Sequence, residues 1–206
     1  EAEKRDHRKI AKQLELFPAA TGVACKKQLV FTAAPQPWRY WAAPIVDQGY
    51  AATAEGTVGA YLEFDNKEGN RLGMPLPAGR VRVNQAGPDG SLEFIGEDLI
   101  KHTPRNETLR IKLGEAFDIV GERKQMSFVY DSAADTITET FELSVRNRKR
   151  ESAEVVVREY LYRWSAWDLT AKSHAFTTRD AQTIDFPVTI PADGEAKLTY
   201  TVRYHW

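Results

Sequence analysis

The feature that most constrains this chain is period-two alternation of apolar and polar residues, repeated along nearly its whole length, with almost no sustained three-four spacing. That pattern builds half-buried strands and cannot build amphipathic helices, because side chains alternate faces on a strand and recur every 3.6 residues on a helix. In 57–65, Val58, Ala60, Leu62 and Phe64 point one way, while Tyr61 and Glu63 point the other. Residues 80–85 and 91–96 form a predicted hairpin carrying Val81, Val83, Leu92 and Phe94, closed by Gly87-Pro88-Asp89-Gly90. Leu109, Ile111 and Leu113 mark another strand, and Ile137, Phe141, Leu143 and Val145 share one face of a long one. Val155, Val157, Glu159 and Leu161 then alternate with Val156, Arg158, Tyr160 and Tyr162. A last pair, 181–190 and 196–204, is joined by Pro191-Ala192-Asp193-Gly194.

Short strands separated by Gly, Pro and Asp turns predict an all-β chain of two β-sandwich modules, the C-terminal one immunoglobulin- or fibronectin-like. The expected organisation is a charged lead-in over 1–13 that continues a longer chain, an N-terminal β module over 14–122, and a C-terminal Ig-like sandwich over 126–206. The charged segment Gly121-Glu122-Arg123-Lys124-Gln125 marks the boundary.

Composition excludes several classes. With 28 Lys+Arg against 29 Asp+Glu, the chain has no global field for nucleic acid or an anionic membrane. No stretch approaches the ~20 consecutive apolar residues of a spanning helix, so membrane insertion of this segment is not expected. The single cysteine, Cys25, forms neither an internal disulfide nor a Cys-based zinc site by itself.

Several stretches resemble the domain of unknown function 4139 family. They are Leu76-Pro77-Ala78-Gly79-Arg80-Val81-Arg82-Val83, Phe94-Ile95-Gly96-Glu97-Asp98, His102-Thr103-Pro104 and 116–125. The resemblance continues through 161–167 and 180–186, with Leu14 to Val23 as its upstream edge. It implies a C-terminal β domain of exported bacterial proteins, some of them mucoidy-inhibitor-like, and an extracytoplasmic location: periplasmic, outer-surface or secreted. It supplies no catalytic residues and no cofactor. The stretch 24–50, with its lone Cys25, departs from the family pattern.

Four groups of residues are candidates for chemistry or binding. Glu97, Asp98 and His102 combine two carboxylates and an imidazole, the donor set of a metal-dependent hydrolase. The stronger reading is structural: Asp98 accepting backbone N–H groups and His102 fixing a loop by one hydrogen bond. Asp118, Glu122 and Arg123, beside Lys124, suit an ion pair organising the two modules better than a catalytic carboxylate pair. Arg146, Arg148, Lys149 and Arg150 lack interleaved aromatics and read as a solvated hairpin tip. Tyr160, Tyr162, Trp164 and Trp167, with Trp38 and Trp41 in a Pro-bounded loop, are the candidate binding aromatics, for a glycan or a protein partner, unless a sandwich core claims them. The sequence therefore points to a non-catalytic envelope module acting through a protein partner or through self-association at sheet edges, with metal-dependent hydrolysis and carbohydrate binding as alternatives.

Overall fold

A computed structural model describes residues 18–35 and 42–206. Its strands are β1 (Lys26–Thr32), β2 (Thr53–Asp65), β3 (Gly79–Ala86), β4 (Leu92–Ile100), β5 (Thr108–Asp131), β6 (Thr136–Asn147), β7 (Ala153–Tyr160), β8 (Trp167–Lys172), β9 (Thr177–Asp180), β10 (Thr183–Ile190) and β11 (Glu195–His205). The only helical turn among the described residues is the three-residue Glu68–Asn70. The chain is thus all-β, as the alternation requires.

Nine strands form one sheet in the order β8-β11-β6-β5-β2-β1-β7-β10-β9, and β3 and β4 form a separate two-stranded sheet. The β1–β7 pairing is parallel, whereas the other ladders are antiparallel. The large sheet folds over on itself. Phe186 of β10 stacks on Tyr200 of β11 at 5.8 Å although these strands lie near opposite ends of the sheet order. One apolar core fills the space between the wings. It draws Phe31 from β1, Val58 from β2, Ile119 from β5, Ile137, Phe141 and Leu143 from β6, and Val155 and Val157 from β7, with the inward residues of β10 and β11. β6 shows the underlying rule most clearly, since its residues alternate between buried and half-buried from Ile137 to Asn147.

The segment 121–125, expected as a module boundary, lies inside β5, which runs unbroken for 24 residues. That strand pairs with β2 from Thr108 to Lys124 and, on its other edge, with β6 from Ile119 onward, so residues 121–124 are paired on both sides. Residues from both sides of 122–126 share the main core. The polar run there is a strand with one side chain inward, not a linker. Gly121 allows this close packing: a Cβ at that position would meet the Phe31 ring at 2.4 Å.

The hairpin expected at 80–85 and 91–96 is present, and its turn is closed by Gly87 N–H to the Ser91 carbonyl at 2.8 Å, with Gly90 at φ 81°. It rests on β5 through its base. A Cβ on Gly96 would lie 2.3 Å from the Leu113 carbonyl oxygen, so only glycine lets β4 approach this closely. Asp98 Oδ2 then accepts the Lys112 N–H at 2.8 Å. Beyond that base the hairpin projects, and both of its faces are exposed toward the tip.

Candidate functional site

Four charged side chains enter the interior at one end of the core. Arg123 follows Ile119 and Gly121 on the inward register of β5, Glu139 falls between Ile137 and Phe141 on β6, and Glu159 continues Val155 and Val157 on β7. Arg163 arrives just past the end of β7. Arg123 Nε donates to Glu159 Oε2 at 2.8 Å, with the two side chains 1% and 0% exposed. Tyr200 Oη donates to the same oxygen at 2.6 Å. Arg163 Nε contacts Glu139 Oε2 at 2.7 Å, poorly aligned for a hydrogen bond, and Gln125 Nε2 donates to Glu139 Oε1 at 2.7 Å. Aromatic faces complete the lining: the Arg123 guanidinium lies 3.6 Å from the Phe141 ring centroid, and that of Arg163 lies 4.8 Å from Phe128.

The loop over residues 45–52 closes this end. Arg163 Nη1 donates to the Ile45 and Asp47 carbonyls at 2.7 and 2.8 Å, and Arg123 Nη1 donates to the Ala51 carbonyl at 2.5 Å. Ala51 itself adopts φ 56°, a conformation costly for a residue with a Cβ and held here by that bond. Tyr50 packs on Tyr162 with centroids 5.6 Å apart. Burial alone would weaken the charge on Arg123, yet Glu159 outweighs it and holds the guanidinium pKa above its ordinary value. Burial, assisted by the Glu139 charge, pushes the Tyr162 phenol up to about 12. Tyr200 and Tyr204 move well above the ordinary phenol value, burial being the first cause in both, with Glu159 and Glu139 respectively adding to it. Two carboxylates, each matched by a guanidinium and sealed from solvent, organise the fold and offer no free acid or base. Of the three charged candidates at 118–123, Arg123 alone joins this network. Glu122 faces Arg146 at 3.8 Å on the surface, and the exposed Asp118 contributes its carbonyl to Arg148 N–H at 2.7 Å.

The structure takes the Glu97, Asp98 and His102 set apart. Glu97 is the shared partner of Arg80 and Arg82 across the hairpin. Asp98 accepts from the Leu99 and Lys112 backbone, and His102 Nδ1 accepts the Ala78 N–H at 3.2 Å. Among the described residues, no three His, Cys, Asp or Glu side chains converge as metal ligands.

The aromatic set is also mostly spoken for. β7 ends at Tyr160, so the alternation that would align Tyr162 and Trp164 with it stops there. Tyr162 is buried with Ala34 and Ile45, while Trp164 and Trp167 pack against the main core. Trp167 Nε1 donates to the Ala181 carbonyl at 2.8 Å. Trp38 and Trp41 lie outside the described residues. What sequence reasoning missed is the apolar surface of the hairpin: Leu92, Phe94 and Leu99 are 73%, 60% and 70% exposed. Their alternation was visible, but nothing local says whether a second layer covers them. No helix among the described residues is long and apolar enough to cross a membrane.

No protein-family model, curated protein or solved structure matches the chain.

Proposed function

We propose that this chain is a non-catalytic binding or assembly module of an exported bacterial protein, and that the projecting β3–β4 hairpin is its contact surface. The observation that carries the reading is the exposure of Leu92, Phe94 and Leu99 on one arm whose two strands are both exposed toward the tip. Exposed apolar side chains gathered on a protruding element gain free energy when another surface covers them. The arm also carries Arg80, Arg82 and Glu97 as a charged rim. The extracytoplasmic location and the Ig-like character of the C-terminal half rest on the family resemblance and on strand pattern. β8 and β9, at the two ends of the sheet order, offer edges for strand addition as a second mode of assembly.

Sedimentation velocity over a wide concentration range, together with a photo-crosslinking residue at position 94 in cells, tests the reading. The expected result is self-association or a crosslinked protein partner, lost in Leu92→Ser/Phe94→Ser. A chain that stays monomeric and crosslinks to nothing through position 94 would overturn it.

A further inference from the structure

A second exposed apolar group lies on β5, toward the opposite end of that strand from the hairpin's base at Lys112 and Leu113. β2 accompanies β5 only as far as Lys124, and their pairing ends where the Ala52 carbonyl accepts the Gln125 N–H at 2.7 Å. From there to Asp131, β5 pairs with β6 on one edge and with no described strand on the other. Met126 and Val129 on this stretch are 54% and 60% exposed, and Tyr130 stacks on Trp206 with centroids 6.0 Å apart, both rings partly in solvent. Met126 is a bulge, because Gln125 pairs with Phe141 and Ser127 with Thr140, two steps along β5 against one along β6. The extra residue resets the faces. Phe128 and Tyr130 stand opposite the inward Glu139 and Ile137, whereas Ser127, Val129 and Asp131 fall on the outer face.

An open edge is a template for another strand, and proteins blunt such edges with charged side chains. The two ends of the sheet are blunted in this way, by Asp168 and Lys172 on β8 and by Arg179 and Asp180 on β9. The stretch 126–130 carries no charge, and Asp131 stands alone at its end. Its sequence is instead self-complementary. When two copies pair antiparallel about Val129, side chains on the same side of the sheet meet: Val129 faces its own counterpart, Phe128 faces Tyr130, and Ser127 faces Asp131. The exposed valines then cover each other, and Phe128 and Tyr130 join Trp206 in one aromatic cluster. The two Asp131 carboxylates lie at opposite ends of the ladder, about 14 Å apart along the strands. A shift by one residue would set inward side chains against outward ones.

We infer that the open edge of β5 over 126–131 pairs with the same edge of a second copy of this chain, in antiparallel register about Val129, to give a two-fold dimer with a continuous sheet. A two-fold axis perpendicular to the sheet makes the contact isologous, so it closes at a dimer. The paired residues and their flanking rings cover less than the ~1,200 Å² of a standard interface, and the dimer is accordingly a concentration-dependent one. The surface is separate from the hairpin and does not depend on the hairpin's role.

Sedimentation equilibrium of the full chain, run with and without Leu92→Ser/Phe94→Ser, tests the pairing. A dimer is expected in both. Val129→Lys and Val129→Asp alter a side chain already 60% exposed, so each variant keeps its fold. Each should weaken the dimer by at least about tenfold, through loss of the valine pair and the like charges that replace it across the axis. An equimolar mixture of the two variants should regain the dimer, because lysine then meets aspartate, and that rescue requires residue 129 to oppose itself. A dimer that tolerates both charges, or a mixture no better than its components, overturns the proposal. A wild-type chain that stays monomeric over the whole range also overturns it, and leaves the edge to a strand of a different protein.

Discussion

The folded-over sheet and the β3–β4 hairpin obey the same alternation and end in opposite states. In β6 every second side chain meets the facing wing, and Ile137, Phe141 and Leu143 disappear from solvent. In β4 the same rhythm leaves Leu92 and Phe94 outside, with no second layer over them among the described residues. Charge follows the same division. Glu159 meets Arg123 where water cannot reach either, whereas Glu97 meets Arg80 and Arg82 with all three side chains partly in water. Pattern creates a face, and only a covering layer turns that face into stability.

The sharpest way to break the comparison is to remove one carboxylate from each region. Glu159→Ala leaves Arg123 buried without its counter-charge and Tyr200 Oη without its acceptor. The expected loss is about 3–5 kcal/mol, a large share of the stability of an ordinary domain. Glu97→Ala removes an exposed partner of two arginines and should cost less than about 1 kcal/mol. Urea unfolding of both variants checks the pair. Equal losses would mean that enclosure does not govern the worth of these ions.

Alkaline titration probes the same enclosure through a different group. Tyr162, Tyr200 and Tyr204 all have folded-state pKa values above the ordinary 10.0, with Tyr162 at about 12. Below pH 10 these phenols are neutral in folded and unfolded chains alike, and their contribution is fully present. Above pH 10 the unfolded phenols lose protons while the folded ones keep theirs, so the unfolded state binds fewer protons and stability falls as pH rises. The slope approaches ~1.4 kcal/mol per pH unit for each phenol still protonated in the fold and ionised in the unfolded chain. Tyrosinate absorbance should therefore rise in two stages, with these three groups ionising only as the chain unfolds. A single transition near pH 10 covering every tyrosine, with the fold retained, would contradict the sealing of this end.

How far the sequence could reveal this division depends on which interactions are local. The hairpin was legible because Gly87-Pro88-Asp89-Gly90 dictates a turn by backbone chemistry alone. Strand β6 was legible because its apolar face runs through Ile137, Phe141, Leu143 and Val145 without interruption by a turn residue. The segment at 121–125 was not, since Glu122, Arg123 and Lys124 look like a solvated link, and the residue that draws Arg123 inward is Glu159 on another strand. A signal was nevertheless present. Glu159 shares its register with Val155, Val157 and Leu161, and Glu139 lies in step with Ile137 and Phe141. A carboxylate in an apolar register demands a buried cation, and arginines at 123 and 163 were available to supply it. The alignment of Tyr160, Tyr162 and Trp164 on one face was not legible for a different reason: period-two reasoning holds only within a strand, and β7 stops at Tyr160, before Tyr162 and Trp164. For the exposed hairpin, the deciding fact is that no described element covers its tip, which no local pattern encodes.

The smallest expected effect is also the most discriminating for the hairpin. Leu92→Ser/Phe94→Ser removes large apolar side chains, a change that in β6 or β10 would cost several kcal/mol through lost burial and a cavity. On the hairpin both side chains are already mostly in water, so the folded chain loses little contact and its unfolding free energy should change by no more than about 0.5 kcal/mol. Association through this arm, in contrast, should be abolished. A double substitution that leaves the urea midpoint in place while removing self-association or partner capture separates a surface kept for contact from one kept for folding. If the monomer is strongly destabilised instead, Leu92 and Phe94 belong to the fold's own core, and the distinction between the enclosed sheet and its projecting arm fails.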